Sequence, residues 1–353
     1  MAPVVKELER RGINHIVIVT AQHREMLDQK LDVFGIEPHY DLDIMQHDQD
    51  LYYVTSAVLN EIKPVLLKEK PDVLLVQGDT TTTFAASLAA FYQRIHVGHV
   101  EAGLRTWNKL NPYPEEINRQ LTTRLTDFHF APTEWAKKNL LTEGVKEDRV
   151  FVTGNTVIDA LMMIVDPNYR FTDDSLNKID FQKRRVILLT SHRRENFGEP
   201  MIQIFSACRH LVEHNSDVEL IYPVHPNPNV RRAADQVLKN VPRVHLIEPM
   251  EYRPFVQLMN KSYLILTDSG GIQEEAPSLG KPVLILRKTT ERPEAIEAGT
   301  AKLVGTDKQR IVEEAQTLLS NRAVYQSMST KKNPYGDGKA AQRIVGIIEK
   351  YLS

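Results

Sequence analysis

The chain has 353 residues, enough for two domains of ordinary size, and its 42% hydrophobic and 25% charged residues are normal for a globular protein. A formal net charge of -2 argues against nucleic acid as the main partner, because such binders carry a basic excess. One cysteine, Cys208, excludes an internal disulfide and fits a reducing compartment, and no apolar run approaches the ~18 residues of a membrane span, so the chain reads as cytoplasmic and unattached to membrane.

Met1–Gly12 mixes Lys6, Arg10 and Arg11 with Glu7 and Glu9, a helix pattern and not a signal peptide. Strands are predicted over His15–Thr20, Val73–Gln77, His96–His99, Phe128–Ala131 and Val150–Thr153, with helices such as Leu51–Lys68 and Thr83–Tyr92 between them. Apolar strands alternating with amphipathic helices imply a parallel sheet covered on both faces. The polar stretch Pro167–Arg185 interrupts this rhythm and reads as a connection. A second set of strands follows at Val186–Thr190, Glu219–Tyr222, Val244–Leu246, Tyr263–Thr267 and Pro282–Leu286. The turn-rich Asn333–Gly338 then leads into a last helix, Lys339–Leu352. The reading is therefore α/β with two Rossmann-like domains, 1–166 and 186–332, joined by 167–185, and with 333–353 packing back toward the first. Cys208 falls on a helix and reads as a small buried hydrophobe.

The two halves echo each other. Strand Asp72–Gln77 runs into Gly78-Asp79-Thr80-Thr81, and strand Tyr263–Thr267 runs into Asp268-Ser269-Gly270-Gly271, each followed by a helix. Two such domains facing one another direct their strand ends to a shared cleft, where open α/β sheets bind ligands. At Leu266–Glu275 the paired glycines and free helix N–H groups suit a diphosphate, with Ser269 as hydroxyl donor and Glu275 placed for ribose hydroxyls. The competing reading makes Ser269 an N-cap. Asp79 reads as a catalytic carboxylate or, from its own motif, as an N-cap. Glu101, after the next strand, lies at the same sheet edge, and Pro114-Glu115-Glu116-Ile117-Asn118-Arg119 adds more acid. Carboxylates gathered at one edge repel one another, which raises at least one pKa toward a useful range for proton transfer. Glu115 and Glu116 also suit the first turn of a helix on charge alone.

In the second half, Thr190–Asn196 crowds His192, Arg193, Arg194 and Glu195 at a strand end, as an anion or a reaction would require. His225, in the rigid Tyr222–Pro228 loop, faces ligand or packs. No nucleotide triphosphate loop, no dinucleotide glycine fingerprint and no paired-Cys or His-Glu-x-x-His zinc motif occurs.

These stretches, with Thr20–Gln29, Phe151–Leu161, Tyr222–Val230, Leu266–Arg292 and Asn333–Gly338, resemble the non-hydrolysing UDP-N-acetylglucosamine 2-epimerases of bacteria and archaea over nearly the whole chain. The resemblance implies a GT-B fold, a homodimer, and no metal or nicotinamide cofactor. It implies interconversion of UDP-GlcNAc and UDP-ManNAc by elimination of UDP to a 2-acetamidoglucal and re-addition, supplying UDP-ManNAc for cell-surface polysaccharide. Carried over residue by residue, Asp79, Glu101, Glu115 and His192 match catalytic or sugar-contacting positions. Phe255, Ser269, Gly270, Gly271, Glu275 and Arg292 match UDP-binding positions. Gln22, Gln49, Arg193 and His225 match a site for an activating second substrate molecule, although Asp48 stands where an arginine is common and Met250 where a glutamine is.

Family members open with a strand and a Gly-Thr-Arg-Pro-Glu loop, then a lysine before Met-Ala-Pro; this sequence opens at Met1-Ala2-Pro3. The resemblance therefore implies that one central strand, an arginine and a lysine are missing, that the flanking strands lose a neighbour, and that the 353-residue chain is poorly soluble or inactive. A GT-B glycosyltransferase, a hydrolysing epimerase and a non-catalytic UDP-sugar binder are the alternatives.

Overall fold

The computed structural model describes residues 1–21, 31–46 and 48–352. The chain divides into two units, Met1–Met163 with Tyr335–Ser353, and Ile164–Pro334.

In the first unit, strands β3 (Val73–Gln77), β4 (His96–Val100), β5 (Phe128–Ala131) and β6 (Val150–Val152) form a parallel sheet in that order. The register pairs Gln77 with Val100 and His99 with His129. Strands β1 (Ile18–Val19) and β2 (Tyr40–Asp41) form a separate parallel pair, shorter than the His15–Thr20 run predicted for β1. Helices Leu51–Glu69 and Thr81–Tyr92 bury Val54, Val58, Ile62, Leu66, Ala86 and Ala90 against Val76, Val97 and Ile44 on one face. On the other face Val4 from helix Ala2–Arg11 meets Val100, Phe130, Ile344, Val345 and Ile348. The last three belong to helix Ala340–Leu352, so the end of the chain completes the core of its beginning. Asp159 joins the two by accepting hydrogen bonds from the N–H groups of Ala340 (3.2 Å) and Ala341 (2.8 Å) at the start of that helix. These are donors that no helix satisfies internally.

The second unit is a six-stranded parallel sheet: β7 (Arg185–Thr190), β8 (Val218–Pro223), β9 (Val244–Ile247), β10 (Leu264–Thr267), β11 (Val283–Ile285) and β12 (Ala301–Leu303). Its spatial order is β12-β11-β10-β7-β8-β9, which reverses direction between β7 and β10. The strands β7 and β10 are unbroken apolar runs such as Val186-Ile187-Leu188-Leu189, buried because helices cover both faces. Met201, Phe205, Cys208, Leu211, Leu220, Tyr222 and Leu266 sit in the central core. Cys208 is buried, and burial pushes its thiol up to about 12. Among the described residues no helix is long and apolar enough to cross a membrane, and no group of three or more metal-ligating side chains is present.

Candidate functional site

In open α/β sheets the crevice beyond the strand C-termini, at the point where strand order reverses, is the natural ligand position. In the second unit that point lies between β7 and β10, and the two motif-bearing loops leave the sheet there, Ser191–Asn196 after β7 and Asp268–Gly271 after β10. The pairing Thr190↔Thr267 puts them side by side although 77 residues separate them, and the two hydroxyls bond at 2.6 Å.

Ser269 stands at the N-cap of helix Gly270–Glu275, but its side chain caps nothing. Its hydroxyl is therefore not committed to the helix, which removes the reading of Ser269 as a capping residue. Gly270 is buried and Gly271 exposed. A Cβ on Gly270 lies 3.0 Å from a terminal nitrogen of Arg292 and 3.2 Å from Glu291 Oε1, so the glycine is what lets the Arg292 guanidinium lie across the turn. A Cβ on Gly271 meets nothing within 4 Å. Arg292 is fixed by Glu274 (2.5 Å) and Glu291 (3.2 Å). Glu275, buried, accepts from the Tyr252 hydroxyl at 2.6 Å. Tyr252 opens helix Tyr252–Lys261, and half-buried Phe255 follows one turn later. Gln273 closes the loop from beneath, donating to the Ser269 carbonyl (3.1 Å) and accepting from Thr290 (2.7 Å).

His192 is half-buried, with Nδ1 3.3 Å from Asp268 Oδ1 and its ring stacked on His225 at 5.4 Å and 11°. Burial pulls its pKa down, Asp268 pulls it up, and His225 and Arg193 add to the lowering, so the net direction is down. His225 itself is exposed and accepts at Nδ1 from the Asn227 N–H at 3.2 Å. Arg193 reaches the Asp268 carbonyl (3.3 Å) and Glu291 (3.4 Å). Neither Asp268 nor Tyr252 was singled out from the sequence. Asp268 lay unread inside the Thr267-Asp268-Ser269-Gly270-Gly271 motif, and only the adjacency of β7 and β10 reveals what it holds.

In the first unit, Asp79 and Glu101 follow the adjacent strands β3 and β4, as the pattern suggested. Asp79 is not the N-cap of the next helix: Thr80 is, its hydroxyl accepting from the Thr83 N–H at 3.2 Å. Nor is the Asp79 carboxylate left to repel its acidic neighbours, because Arg119 bonds Oδ2 through two nitrogens at 2.6 and 3.1 Å. Asn118 holds the Asp79 carbonyl at 3.1 Å. Both partners sit in the Pro114–Arg119 motif but passed unremarked in the sequence, since a helix of unknown position has no predictable partner.

Glu101 has a left-handed backbone, φ +66°, uncommon for a side chain of its size and typical of functional turns. Asn155 approaches it at 3.4 Å. The Met1 amino group bonds Gln77, and burial pushes it down to about 6 while Glu101 and Asp159 oppose the shift. Behind the site His99 is fully buried and 2.7 Å from the Gly78 carbonyl, with burial holding its ring down at about 4. The neutral ring donates through Nε2–H and fixes the Gly78-Asp79 turn.

The two glutamates of helix Glu115–Leu125 differ. Glu116 is wholly buried and accepts from the N–H groups of Thr106 (2.9 Å) and Trp107 (3.1 Å) and from Gln120 (3.1 Å). Burial alone raises its pKa, but these bonds outweigh it and the net shift is downward. It is a structural carboxylate. Glu115 has a buried Oε2 that accepts no hydrogen bond among the described residues. A buried carboxylate oxygen without a donor is costly and marks a place for a ligand hydroxyl or proton. Of the four residues matched to an activator site, Arg193 and His225 lie together in the second unit. Gln49 lies in the first, its Oε1 3.4 Å from the Gln46 N–H, and Gln22 lies outside the described residues.

Known proteins resemble this chain over nearly its whole length. The family model described as UDP-N-acetylglucosamine 2-epimerase matches residues 6–349. The UDP-N-acetylglucosamine 2-epimerase of Escherichia coli K12 is 54% identical, over 98% of this chain and 93% of its own. A UDP-GlcNAc 2-epimerase of Neisseria meningitidis, solved bound to UDP-GlcNAc, superposes with a TM-score of 0.86 at 52% identity, covering 99% of this chain and 96% of that one. MnaA of S. aureus, solved with UDP, gives a TM-score of 0.87 at 49% identity, covering 100% of this chain and 93% of that one.

Proposed function

The chain belongs to the UDP-N-acetylglucosamine 2-epimerase family, and from that premise we propose that it interconverts UDP-GlcNAc and UDP-ManNAc by eliminating UDP and adding it back. Its two Rossmann-like units are those of the GT-B fold. The match over residues 6–349 carries the reading.

The C2 proton of the sugar is not acidic, so direct deprotonation is too costly. Elimination breaks the C1–O bond as the C2 proton leaves, giving UDP and a 2-acetamidoglucal. Re-addition of UDP with proton delivery to the opposite face of C2 gives the epimer. This needs a firm hold on free UDP and proton-transfer groups for both faces. For the first, the Gly270 and Gly271 N–H groups and the Ser269 hydroxyl are the donors, Arg292 is a fixed cation, Glu275 a ribose acceptor and Phe255 an apolar wall, the Ser269 N–H being taken by the Thr267 hydroxyl. Asp79, Glu101, Glu115 and His192 are the proton-transfer candidates, and the Glu115 oxygen that has no partner among the described residues and the left-handed Glu101 backbone support two of them. Arg193 and His225 remain candidates for an activator contact. The active form is a cytoplasmic homodimer, and its product feeds cell-surface polysaccharide synthesis.

The test is incubation with UDP-GlcNAc in deuterated water, followed by NMR. Deuterium at C2 of both UDP-sugars is expected. Free ManNAc instead indicates a hydrolysing enzyme, and no exchange indicates a binder, and either overturns the proposal.

A further inference from the structure

We infer that Asp268 is a positioning residue: its Oδ1 keeps the proton of His192 on Nδ1 and aims Nε2, as the free basic nitrogen, at the reacting sugar. The inference rests on the reading of His192 as a proton-transfer group.

The two oxygens of this carboxylate do different things. Oδ2 accepts from the Ser191 hydroxyl (3.1 Å), the N–H groups of His192 (2.8 Å) and Arg193 (2.9 Å), and the Asn196 amide (3.1 Å). Four donors converging on one oxygen fix both the carboxylate plane and the loop after β7. Oδ1 is left over. The side chain is wholly buried, and among the described residues Oδ1 accepts no hydrogen bond. The His192 ring nitrogen Nδ1 lies 3.3 Å from it. A modest turn of the ring converts that approach into an N–H···O bond and relieves a buried acceptor that otherwise goes unpaired. The other face of the ring is held by the His225 stack at 5.4 Å, and Arg193 is drawn aside by the Asp268 carbonyl and Glu291. A neutral imidazole carries one proton. If Asp268 holds it on Nδ1, Nε2 is the acceptor, and which nitrogen is basic follows from the bond made by the other.

Tying the loop and orienting the ring can be separated, because each belongs to one oxygen. In Asp268→Asn the amide carbonyl can occupy the Oδ2 position and keep the four donors, while the NH₂ faces Nδ1. That reversal forces the proton of a neutral ring onto Nε2. In Ser191→Ala one loop donor is lost but Oδ1 is untouched.

The experiment is ¹⁵N NMR of the imidazoles in the full chain, at a pH above the titration of His192, with its signals assigned by their loss in His192→Gln. The wild-type ring and that of Ser191→Ala are expected as the Nδ1–H tautomer, and Asp268→Asn as the Nε2–H tautomer. Asp268→Asn is also expected to retain its melting-temperature rise with UDP but to lose C2 deuterium exchange by about 100-fold or more. A wild-type ring protonated at Nε2 overturns the inference even if the variant fails to fold. An unchanged tautomer in folded Asp268→Asn also overturns it. A reversed tautomer with undiminished exchange removes the role in the reaction. A reversed tautomer in a chain whose wild type shows no exchange leaves the Asp268–His192 geometry standing and overturns the epimerase reading alone.

Discussion

At the scale of single residues, Gly270 and Gly271 look alike in sequence and differ in structure. At Gly270 an added Cβ presses on the Arg292 guanidinium at 3.0 Å, so the arginine and its carboxylate partners must shift by a few tenths of an ångström to admit it. Gly271 has open space around it, so any penalty for a side chain there comes from the ligand. Gly271→Ala should therefore leave the melting temperature of the free protein unchanged or slightly raised, since Ala is favoured over Gly in a helix by roughly 0.5–1 kcal/mol. Its melting-temperature rise with UDP should shrink to a small fraction of the wild-type value. Gly270→Ala should lower both. A full UDP shift in Gly271→Ala places the diphosphate elsewhere. These residues were legible in the sequence because a strand end, two glycines and a helix start form a local signal. Asp268 was not, although it adjoins them, because its partners Ser191–Asn196 are remote in the chain and meet it only through strand order. The capping reading of Asp79 failed for the opposite, local reason: a cap is a choice between neighbours, and Thr80 takes it.

At the scale of elements, β4 and β5 carry a liability between them. His99 and His129 are register partners, both buried, and burial pushes their rings down to about 4 and about 3 respectively. Both therefore stay neutral in the folded sheet, while in the unfolded chain they protonate near the ordinary 6.5. Below that pH the unfolded state binds more protons, so stability is full above 6.5 and falls as the pH drops toward 4. The slope is up to about 1.4 kcal/mol per pH unit for each ring. His129→Leu should remove about half of this dependence between pH 6.5 and 4.5. Urea unfolding followed by tryptophan fluorescence reads it cleanly, because both tryptophans, Trp107 and Trp135, lie in the first unit. An unaltered pH slope in the variant assigns the acid sensitivity to other groups. The strands themselves were legible as apolar runs, since both faces of a parallel sheet are buried. Strand β1 was legible inside the longer His15–Thr20 run, whereas β2 was not, because a two-residue strand leaves no periodicity to read.

At the scale of the whole molecule, helices Leu51–Glu69 and Thr81–Tyr92 pack together in the first unit and leave large apolar side chains outside. Tyr52 is 86% exposed, Phe91 58% and Tyr92 65%. Phe91 and Tyr92 lie side by side, ring centroids 6.3 Å apart, and exposed apolar neighbours of this kind are what a second copy would cover in the proposed homodimer. Phe91→Glu with Tyr92→Glu should convert a dimer to a monomer in sedimentation velocity while leaving the fold intact by circular dichroism. A dimer that survives both charges uses another surface. The return of helix Ala340–Leu352 to the first unit has a different consequence, one that concerns time. During synthesis most of the first unit emerges before the second, but Ile344, Val345 and Ile348, which pack with Val4, Val100 and Phe130, are made only after the whole second unit, Ile164–Pro334. At ~5–20 residues per second the ribosome needs roughly 10–30 s to make the intervening unit. Throughout that interval one apolar face of the nascent sheet lacks part of its cover, so a ribosome-bound chain is a natural client for a chaperone until helix Ala340–Leu352 appears.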